Sequence, residues 1–325
     1  MTSKVVIAIV TVVLLSAEAS AAWKKLPSNT MAWLHAAQFV DARQGWIVGS
    51  KGTLLVSEDG GTSWVVSKKF TNDTIRDIYF ADQLRGWLLC ERSPFGGTSE
   101  PLAYLVSTRD GGTTWQRHDP FQTRDRVVRI VFRDAEEGCA MGEGGYLSCT
   151  DDGGRTWMKH ELPARHLMMD GRFLDQDTLV LAGGGGTLLR SERGQSEWMR
   201  AATPTGLSTK LNSVHFLDQK TGWAVGAGGE ILFTANGGQT WGAQSSTVTK
   251  DLRDVWFDDH RRGYAVGDDG VILRTEDGGM SWTKETSPSG HRLEAIAVAG
   301  GRIIAVGFGG TILVSEFVPS VERQN

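Results

Sequence analysis

One segment of 41 to 43 residues recurs along this chain, and that repeat limits the possible folds more than any other feature. The unit is clearest in LNSVHFLDQKTGWAVGAGGEILFTANGGQTW (211–241) and LRDVWFDDHRRGYAVGDDGVILRTEDGGMSW (252–282). Earlier copies span 38–64, 75–115, 127–157 and a degenerate 168–198, and a truncated copy spans 293–316. Periods of this length are typical of propeller blades and similar arrays.

Each unit reads as four short strands separated by Gly and Asp turns. Alternating apolar runs such as LxxVxF are typical of half-buried strands, and the 41 glycines suit many tight turns. Stacked helical repeats are excluded because no unit contains an 11-residue window of helical period. The sequence therefore predicts an all-β fold in which each unit is a propeller blade.

The spacing of tryptophans predicts the number of blades. Six units end in a tryptophan, at Trp64, Trp115, Trp157, Trp198, Trp241 and Trp282. Trp23 lies 41 residues before the first of them, and residues 23–26 offer a fourth strand that the truncated last unit lacks. We expect a seven-bladed β-propeller whose last blade is closed by the N-terminal strand, with six or eight blades as the alternatives.

Most units carry a motif of the form S/T-x-D-x-G-x-S/T-W. The short acid or amide in this motif is Asp59, Asp110, Asp152, Asn236 or Asp277, and the degenerate copy reads SERGQSEW (191–198). These carboxylates could be catalytic or calcium-binding. We favour a structural role, in which the side chain accepts hydrogen bonds from turn amides, glycine takes positive φ and tryptophan packs between blades.

These motifs are Asp boxes and resemble the bacterial neuraminidase repeat. The whole unit, with GWxVG ahead of T-x-DGG-x-TW, is similar to the photosystem II stability and assembly factors of cyanobacteria and chloroplasts and to their relatives in non-photosynthetic bacteria. The similarity covers roughly residues 23–316. It implies a lumenal or exported propeller that binds a protein partner, without catalysis and without a cofactor.

A sialidase or another glycosidase is the alternative function. Sialidases need an arginine triad, an early F/Y-R-I-P segment and an activated tyrosine, and this chain has no such segment. General glycosidases need two carboxylates in a cleft. Asp77, Asp170 and Asp254 occupy equivalent positions of three units, and equivalence by repetition favours an architectural role. We therefore predict no catalytic residues.

The cysteines and histidines give no metal site. The seven histidines have no ligand spacing, and no glycine run matches a phosphate loop. Cys139 and Cys149 flank a glycine turn, so a hairpin would place them opposite each other, either as a disulfide or as two buried thiols. Cys90 is left over and is expected to be buried.

The first 22 residues read as a signal peptide, with Lys4, an apolar run over 5–15 and the small residues of 19–21. An uncleaved anchor helix is the alternative, but the run is short for a bilayer span. We expect a propeller over 23–318, a tail over 319–325, and export to the periplasm, or to the thylakoid lumen in a photosynthetic host. The net charge of −4 gives no indication of nucleic acid binding.

The segments between blades are basic although the chain is acidic overall. They hold twelve basic residues against six acidic ones, which could be ordinary solvated side chains or an electropositive face for an acidic protein segment or an envelope complex. The candidate partner-binding residues are Lys68, Lys69, Arg76, Arg124, Arg126, Arg129, Arg165, Arg253 and Arg292. An insertion at 91–101 lengthens the second unit and could serve the same face. A purely structural module within a larger envelope complex is the third hypothesis.

Overall fold

The computed structural model describes residues 22–93, 101–192 and 197–317. The predicted signal peptide up to residue 21, the C-terminal tail, residues 94–100 of the insertion and 193–196 of the degenerate box lie outside these ranges. Within them, no helix has the length and apolar character needed to cross a bilayer.

In the described residues, 28 strands form seven four-stranded antiparallel sheets, numbered here as blades from residue 34 onward. Blades 1 and 2 contain β2 (Leu34–Phe39), β3 (Gly45–Gly49), β4 (Thr53–Ser57), β5 (Val65–Val66), β6 (Thr74–Phe80), β7 (Gly86–Glu91), β8 (Ala103–Thr108) and β9 (Gln116–His118). Blades 3 and 4 contain β10 (Val127–Phe132), β11 (Gly138–Gly142), β12 (Leu147–Thr150), β13 (Met158–Lys159), β14 (Met168–Phe173), β15 (Leu179–Gly183), β16 (Thr187–Glu192) and β17 (Glu197–Arg200).

Blades 5 and 6 follow the same order. They contain β18 (Leu211–Phe216), β19 (Gly222–Gly226), β20 (Ile231–Thr234), β21 (Gly242–Gln244), β22 (Leu252–Phe257), β23 (Gly263–Gly267), β24 (Ile272–Thr275) and β25 (Thr283–Lys284). Blade 7 contains β26 (Leu293–Ala299), β27 (Arg302–Gly307), β28 (Thr311–Glu316) and, from the other end of the chain, β1 (Lys24–Leu26).

The N-terminal strand closes the ring. β1 pairs antiparallel with β28, so that Lys24 faces Val314 and Leu26 faces Ile312. This confirms the predicted all-β fold, the seven blades and the closure of the last blade, and the six- and eight-blade alternatives are wrong. Trp23 precedes β1 and is 6% exposed, with its Nε1 donating to Glu285 at 2.5 Å. It therefore takes the place of the tryptophan that ends the other units.

Neighbouring blades are joined by aromatic side chains. Phe80 ends the inner strand of blade 2. Its ring stacks face to face on Trp46 of blade 1, with 3.7 Å between the ring centres, and packs edge to face with Trp115, with 6.2 Å between the ring centres. The glycine of the GW pair is required there, because a Cβ at Gly86 would lie 2.6 Å from the Phe80 ring. Seven buried apolar clusters each span two adjacent blades, and one of them joins blade 7 to blade 1.

Single 3₁₀ turns join the second and third strands of six blades. They span Ser50–Gly52, Glu143–Gly145, Gly184–Gly186, Ala227–Gly229, Asp268–Gly270 and Phe308–Gly310. In blade 2 the predicted insertion occupies this position, between β7 and β8. These turns and the connections between blades share one face of the disc, and the Asp boxes lie on the other.

Substituting Trp23→Ala should lower the free energy of unfolding by about 3 kcal/mol or more, the usual cost of truncating a buried aromatic side chain. Urea unfolding followed by circular dichroism measures the change. Lys24→Ala is the control, because its side chain is exposed on the same strand. Equal midpoints for Trp23→Ala and the wild type would contradict the role of this segment in closing the ring.

Candidate functional site

A β-bulge in the inner strand of every blade builds the central site. Each inner strand skips one residue in its pairing with the second strand, as between Ile75 and Asp77 or between Leu252 and Asp254. A bulge changes the direction of the side chains around it. The seven bulge residues are His35, Arg76, Val128, Met169, Asn212, Arg253 and Glu294.

All seven bulge residues line one depression at the mouth of the central tunnel, which we call the basin, with a volume of about 350 Å³. Arg126, Leu167, Lys210 and Arg292 add to its wall, and Arg129 to its floor. The lining thus holds six cations against one carboxylate, that of Glu294. His35 does not add to the charge, since burial and then the Arg76 charge lower its pKa to about 3.

Ion pairs hold most of the basin arginines. The Glu91 carboxylate, which is 9% exposed, accepts from both Arg76 and Arg126. The Asp268 carboxylate accepts from Arg253 Nε at 2.9 Å and from Arg292 Nε at 2.8 Å. These carboxylates fix the guanidinium groups in place and offset part of their charge, which the sequence count did not anticipate.

Lys210 differs from the basin arginines. Among the described residues no carboxylate lies within salt-bridge distance of its ammonium group. Lys210 lines the basin together with Arg253 and Arg292, which do have such carboxylates. Burial, followed by the charge of Arg253, lowers the pKa of Lys210 below its ordinary value. The charges of Asp251 and Glu294 oppose this shift from beyond salt-bridge distance. Lys210 is therefore a basin cation without a close carboxylate among the described residues.

Asn212 carries a polar atom that the described residues leave without a partner. Its side chain is 3% exposed, and its Nδ2 donates to the Leu252 carbonyl at 2.7 Å. No donor in the described ranges reaches its Oδ1. A buried acceptor without a partner is costly, and this oxygen lies beneath the surface of the basin, so it is not directly accessible to a ligand.

Below the basin, the next residue of each inner strand forms a second ring, which we call the tunnel ring. It contains Ala36, Asp77, Arg129, Asp170, Ser213, Asp254 and Ala295. Arg129 lies between two carboxylates, with Nη1 3.3 Å from Asp77 and Nε 3.2 Å from Asp170. The Ser213 hydroxyl lies between two carboxylates, with Oγ 3.1 Å from Asp170 Oδ2 and 2.7 Å from Asp254 Oδ1.

The three aspartates of the tunnel ring also join blades. Asp77 accepts from the Ile130 amide at 2.8 Å, and Asp254 accepts from the Ile296 amide at 2.7 Å, each in the next blade. Asp170 accepts in the same way from Val214 at 3.0 Å. Burial raises the pKa of Asp77 and of Asp254, and the nearby Arg129 charge opposes this in both. These contacts give the carboxylates a structural role.

The remaining predicted cations lie away from the basin. Lys68, Lys69, Arg124 and Arg165 are all exposed, and all lie on the connections between blades. The sequence analysis therefore treated as one group the cations of the basin and the cations of the connections between blades, which the structure separates. Lys210, Asn212 and Glu294 were not singled out as site residues. Aligning the units position by position would have placed Asn212 and Glu294 with Arg76 and Arg253, and Lys210 with Arg126 and Arg292.

The Asp boxes lie on the opposite face and bond within their own turns. Asp277 accepts from the Thr275 hydroxyl at 2.9 Å, the Ser281 amide at 2.8 Å and the Ser281 hydroxyl at 2.6 Å. Asp59, Asp110 and Asp152 make the same bonds, and Asn236 replaces the carboxylate with an amide that donates to Thr240. The box tryptophans Trp64, Trp115, Trp157, Trp198, Trp241 and Trp282 pack in the clusters between blades.

Cys139 and Cys149 face each other on β11 and β12 and form a disulfide, while Cys90 is a buried free thiol. Burial raises the pKa of Cys90 to about 12, so it is a weak nucleophile. In the part of the chain that the structure describes, no group of three or more His, Cys, Asp or Glu side chains could hold a metal ion.

Comparison with known proteins places this geometry in context. The family model described as photosynthesis system II assembly factor YCF48 matches residues 15–74, 64–167 and 233–316. No protein of curated function matches the chain.

Two similar solved structures share the fold. One is described as YCF48 bound to D1 peptide, with a TM-score of 0.73 and 21% identity over 92% of this chain and 100% of that one. The other is YCF48 from Cyanidioschyzon merolae, with a TM-score of 0.72 and 21% identity over 91% of this chain and 99% of that one. Identity this low supports the fold and no residue role.

Replacing Arg129 with methionine should destabilise the protein by about 3 to 5 kcal/mol at pH 8, because it leaves buried carboxylates without their cation. The loss should be smaller at pH 5. The folded-state pKa of Asp77 is raised, so its stabilising contribution is present at low pH and lost as pH rises through that pKa. Urea unfolding at both pH values measures this. Arg129→Met with Asp77→Asn should recover part of the loss at pH 8, and a pH-independent loss would contradict the charge argument.

Substituting Asp277→Ala should cost roughly 1 to 3 kcal/mol of stability, because turn amides lose their acceptor. Asp277→Asn should cost less, since Asn236 fills the same position in blade 5. Hydrogen bonds outweigh burial and lower the pKa of Asp277, so the advantage of aspartate over asparagine is present above about pH 4 and lost below it. Thermal unfolding between acid and neutral pH tests this order, and equal stability of the Ala variant and the wild type would contradict it.

Proposed function

The chain belongs to the family of photosynthesis system II assembly factors described as YCF48, and we propose that it is an exported, non-catalytic factor that binds an acidic segment of a protein partner in the basin. One protein with the same fold holds a D1 peptide, so a peptide ligand is compatible with this architecture. The basin is the single observation that carries the proposal.

The shape and charge of the basin favour an anionic peptide. Six cations line a concave surface of about 350 Å³, and the carboxylates beside them keep their guanidinium groups oriented. Preorganised arginines bind carboxylates through paired hydrogen bonds with little loss of side-chain entropy. The Lys210 ammonium supplies a charge that no described carboxylate offsets at close range. These features support acidic side chains as the recognised groups.

The wall of the basin also suits a protein segment. Leu167, Val128 and Met169 are half-buried and form an apolar sector between the cations. A free inorganic anion would leave this sector uncovered. A protein segment with acidic and apolar groups covers it, which is why we favour a macromolecular partner.

The glycosidase alternative has less support. Such an enzyme needs two carboxylates that reach a sugar. In the tunnel ring, Asp77 and Asp170 are each 3% exposed and accept hydrogen bonds from Arg129 and from backbone amides. Their oxygen atoms are committed to joining blades, so we propose binding and not hydrolysis.

Export is part of the proposal because residues 1–22 have the charge and apolar pattern of a signal peptide. The disulfide between Cys139 and Cys149 agrees with an oxidising compartment. The compartment would be the periplasm, or the thylakoid lumen in a photosynthetic host.

The Lys210→Glu variant should bind a glutamate-rich peptide on the order of tenfold more weakly than the wild type, a loss of about 1.4 kcal/mol. Fluorescence anisotropy with the labelled peptide measures the affinity, and a D1 peptide is a second probe. Lys284→Glu makes the same charge change on an exposed outer strand, so it should leave the affinity unchanged.

Wild-type affinity should also fall as salt rises from about 50 to 500 mM, since screening shortens the range of exposed charges to below roughly 10 Å. A glutamine-rich version of the peptide should not bind. If the wild type binds neither the glutamate-rich peptide nor the D1 peptide, or if both lysine variants lose affinity equally, the basin is not the recognition site.

A further inference from the structure

An exposed aromatic surface lies beside the basin, where blade 7 meets blade 1. We call Trp33, His291 and Phe308 the aromatic shelf. Phe308 is 49% exposed and begins the 3₁₀ turn of blade 7. In the five other described turns of this type the same position is occupied by Ser50, Glu143, Gly184, Ala227 or Asp268. A large apolar side chain at this solvent-facing position therefore breaks the pattern of the repeat.

The three rings support each other. Phe308 meets Trp33 edge to face at 5.6 Å and meets His291 in the same way at 5.7 Å. Trp33 Nε1 donates to Glu294 Oε1 at 2.8 Å, which fixes the indole in position. A rigid aromatic surface loses little entropy when a ligand covers it, and aromatic residues are common anchors in protein interfaces.

The shelf is continuous with the basin. The Arg292 guanidinium carbon lies 5.4 Å from the centre of the Trp33 ring, and Arg292 and Glu294 both line the basin. In an extended peptide, side chains one or two residues apart are separated by roughly 3 to 7 Å along the chain. A carboxylate on Arg292 would therefore bring a neighbouring side chain over Trp33 and Phe308.

We propose that the aromatic shelf binds an apolar side chain located one or two residues from an acidic residue of the partner segment. This inference rests on the proposed function and makes the partner class more specific, namely an extended acidic segment with an adjacent leucine or phenylalanine. Arg292 already pairs with Asp268 and lies 3.6 Å from Glu294, so a partner carboxylate would share this guanidinium group while its apolar neighbour covers the rings. A purely acidic or a purely apolar segment would use only one of the two features.

The test uses two glutamate-rich peptides that differ at one position next to a glutamate. One peptide has leucine there and the other has serine. The wild type should bind the leucine peptide more tightly. The Phe308→Ala variant should bind the leucine peptide on the order of tenfold more weakly than the wild type does, as for loss of a central interface anchor. Its affinity for the serine peptide should be unchanged. Met280→Ala is the matched control, because Met280 is 82% exposed but lies in an Asp box on the opposite face.

The outcomes separate the shelf from the basin. If both peptides bind the wild type equally and Phe308→Ala affects neither, the shelf is overturned while the basin stands. If neither peptide binds, the proposed function itself fails. If Phe308→Ala changes only the sedimentation of the protein, the shelf is a contact between copies of this chain, and the inference is wrong.

Discussion

Apolar packing between neighbouring blades is the interaction on which this ring depends, and at three junctions it takes the form of one phenylalanine between two tryptophans. Phe80 stacks on the face of Trp46 in the preceding blade and packs edge to face with Trp115 in its own blade. Phe257 makes the equivalent contacts with Trp223 and Trp282. Stacked and edge-on contacts of this kind have preferred distances and angles. Phe132 packs in the same way between Trp87 and Trp157. This contact therefore holds three of the seven junctions between blades at a set angle, and mixed aliphatic and aromatic clusters fill the other four in the described residues. A glycine in the same blade leaves room for each phenylalanine ring, because a Cβ at Gly86 would lie 2.6 Å from Phe80 and one at Gly263 would lie 2.5 Å from Phe257.

The inner-strand bulge converts this regular scaffold into a site that differs around the ring. Without the extra residue, a strand presents alternate side chains to opposite faces of its sheet. With it, two successive positions of every blade line the tunnel, one in the basin and one in the tunnel ring. The scaffold positions are filled by similar residues in every blade, whereas these two rings hold cations, carboxylates, amides and methyl groups. The side chains that differ from blade to blade are thus concentrated at the tunnel-lining positions, which are the positions least constrained by packing between blades.

The repeat was sufficient to predict the class of fold, the blade number and the closing strand, because each depends on apolar spacing within a unit or between units. The site was harder to predict because it depends on neighbours from different blades. Sequence counting assigned Arg76 and Arg253 to a free basic surface. In the structure Glu91, at the end of β7, pairs with Arg76, and Asp268, in the 3₁₀ turn of blade 6, pairs with Arg253. Asn212 looks unremarkable along the chain, and only the bulge brings it beside Lys210 and Arg253. Hydrogen bonds between the tunnel-ring aspartates and the next inner strand also lie beyond any single unit.

The closing strand has a consequence for how the molecule is made. β1 is synthesised first and its partner β28 last, so the N-terminal strand must wait until nearly the whole chain exists. Bringing such distant segments together is slow, and the entropic cost of the loop is met only when the last blade assembles. An incomplete chain would keep an open strand edge and an unburied tryptophan. Synthesis of β28 is therefore coupled to loss of the features that chaperones and proteases recognise.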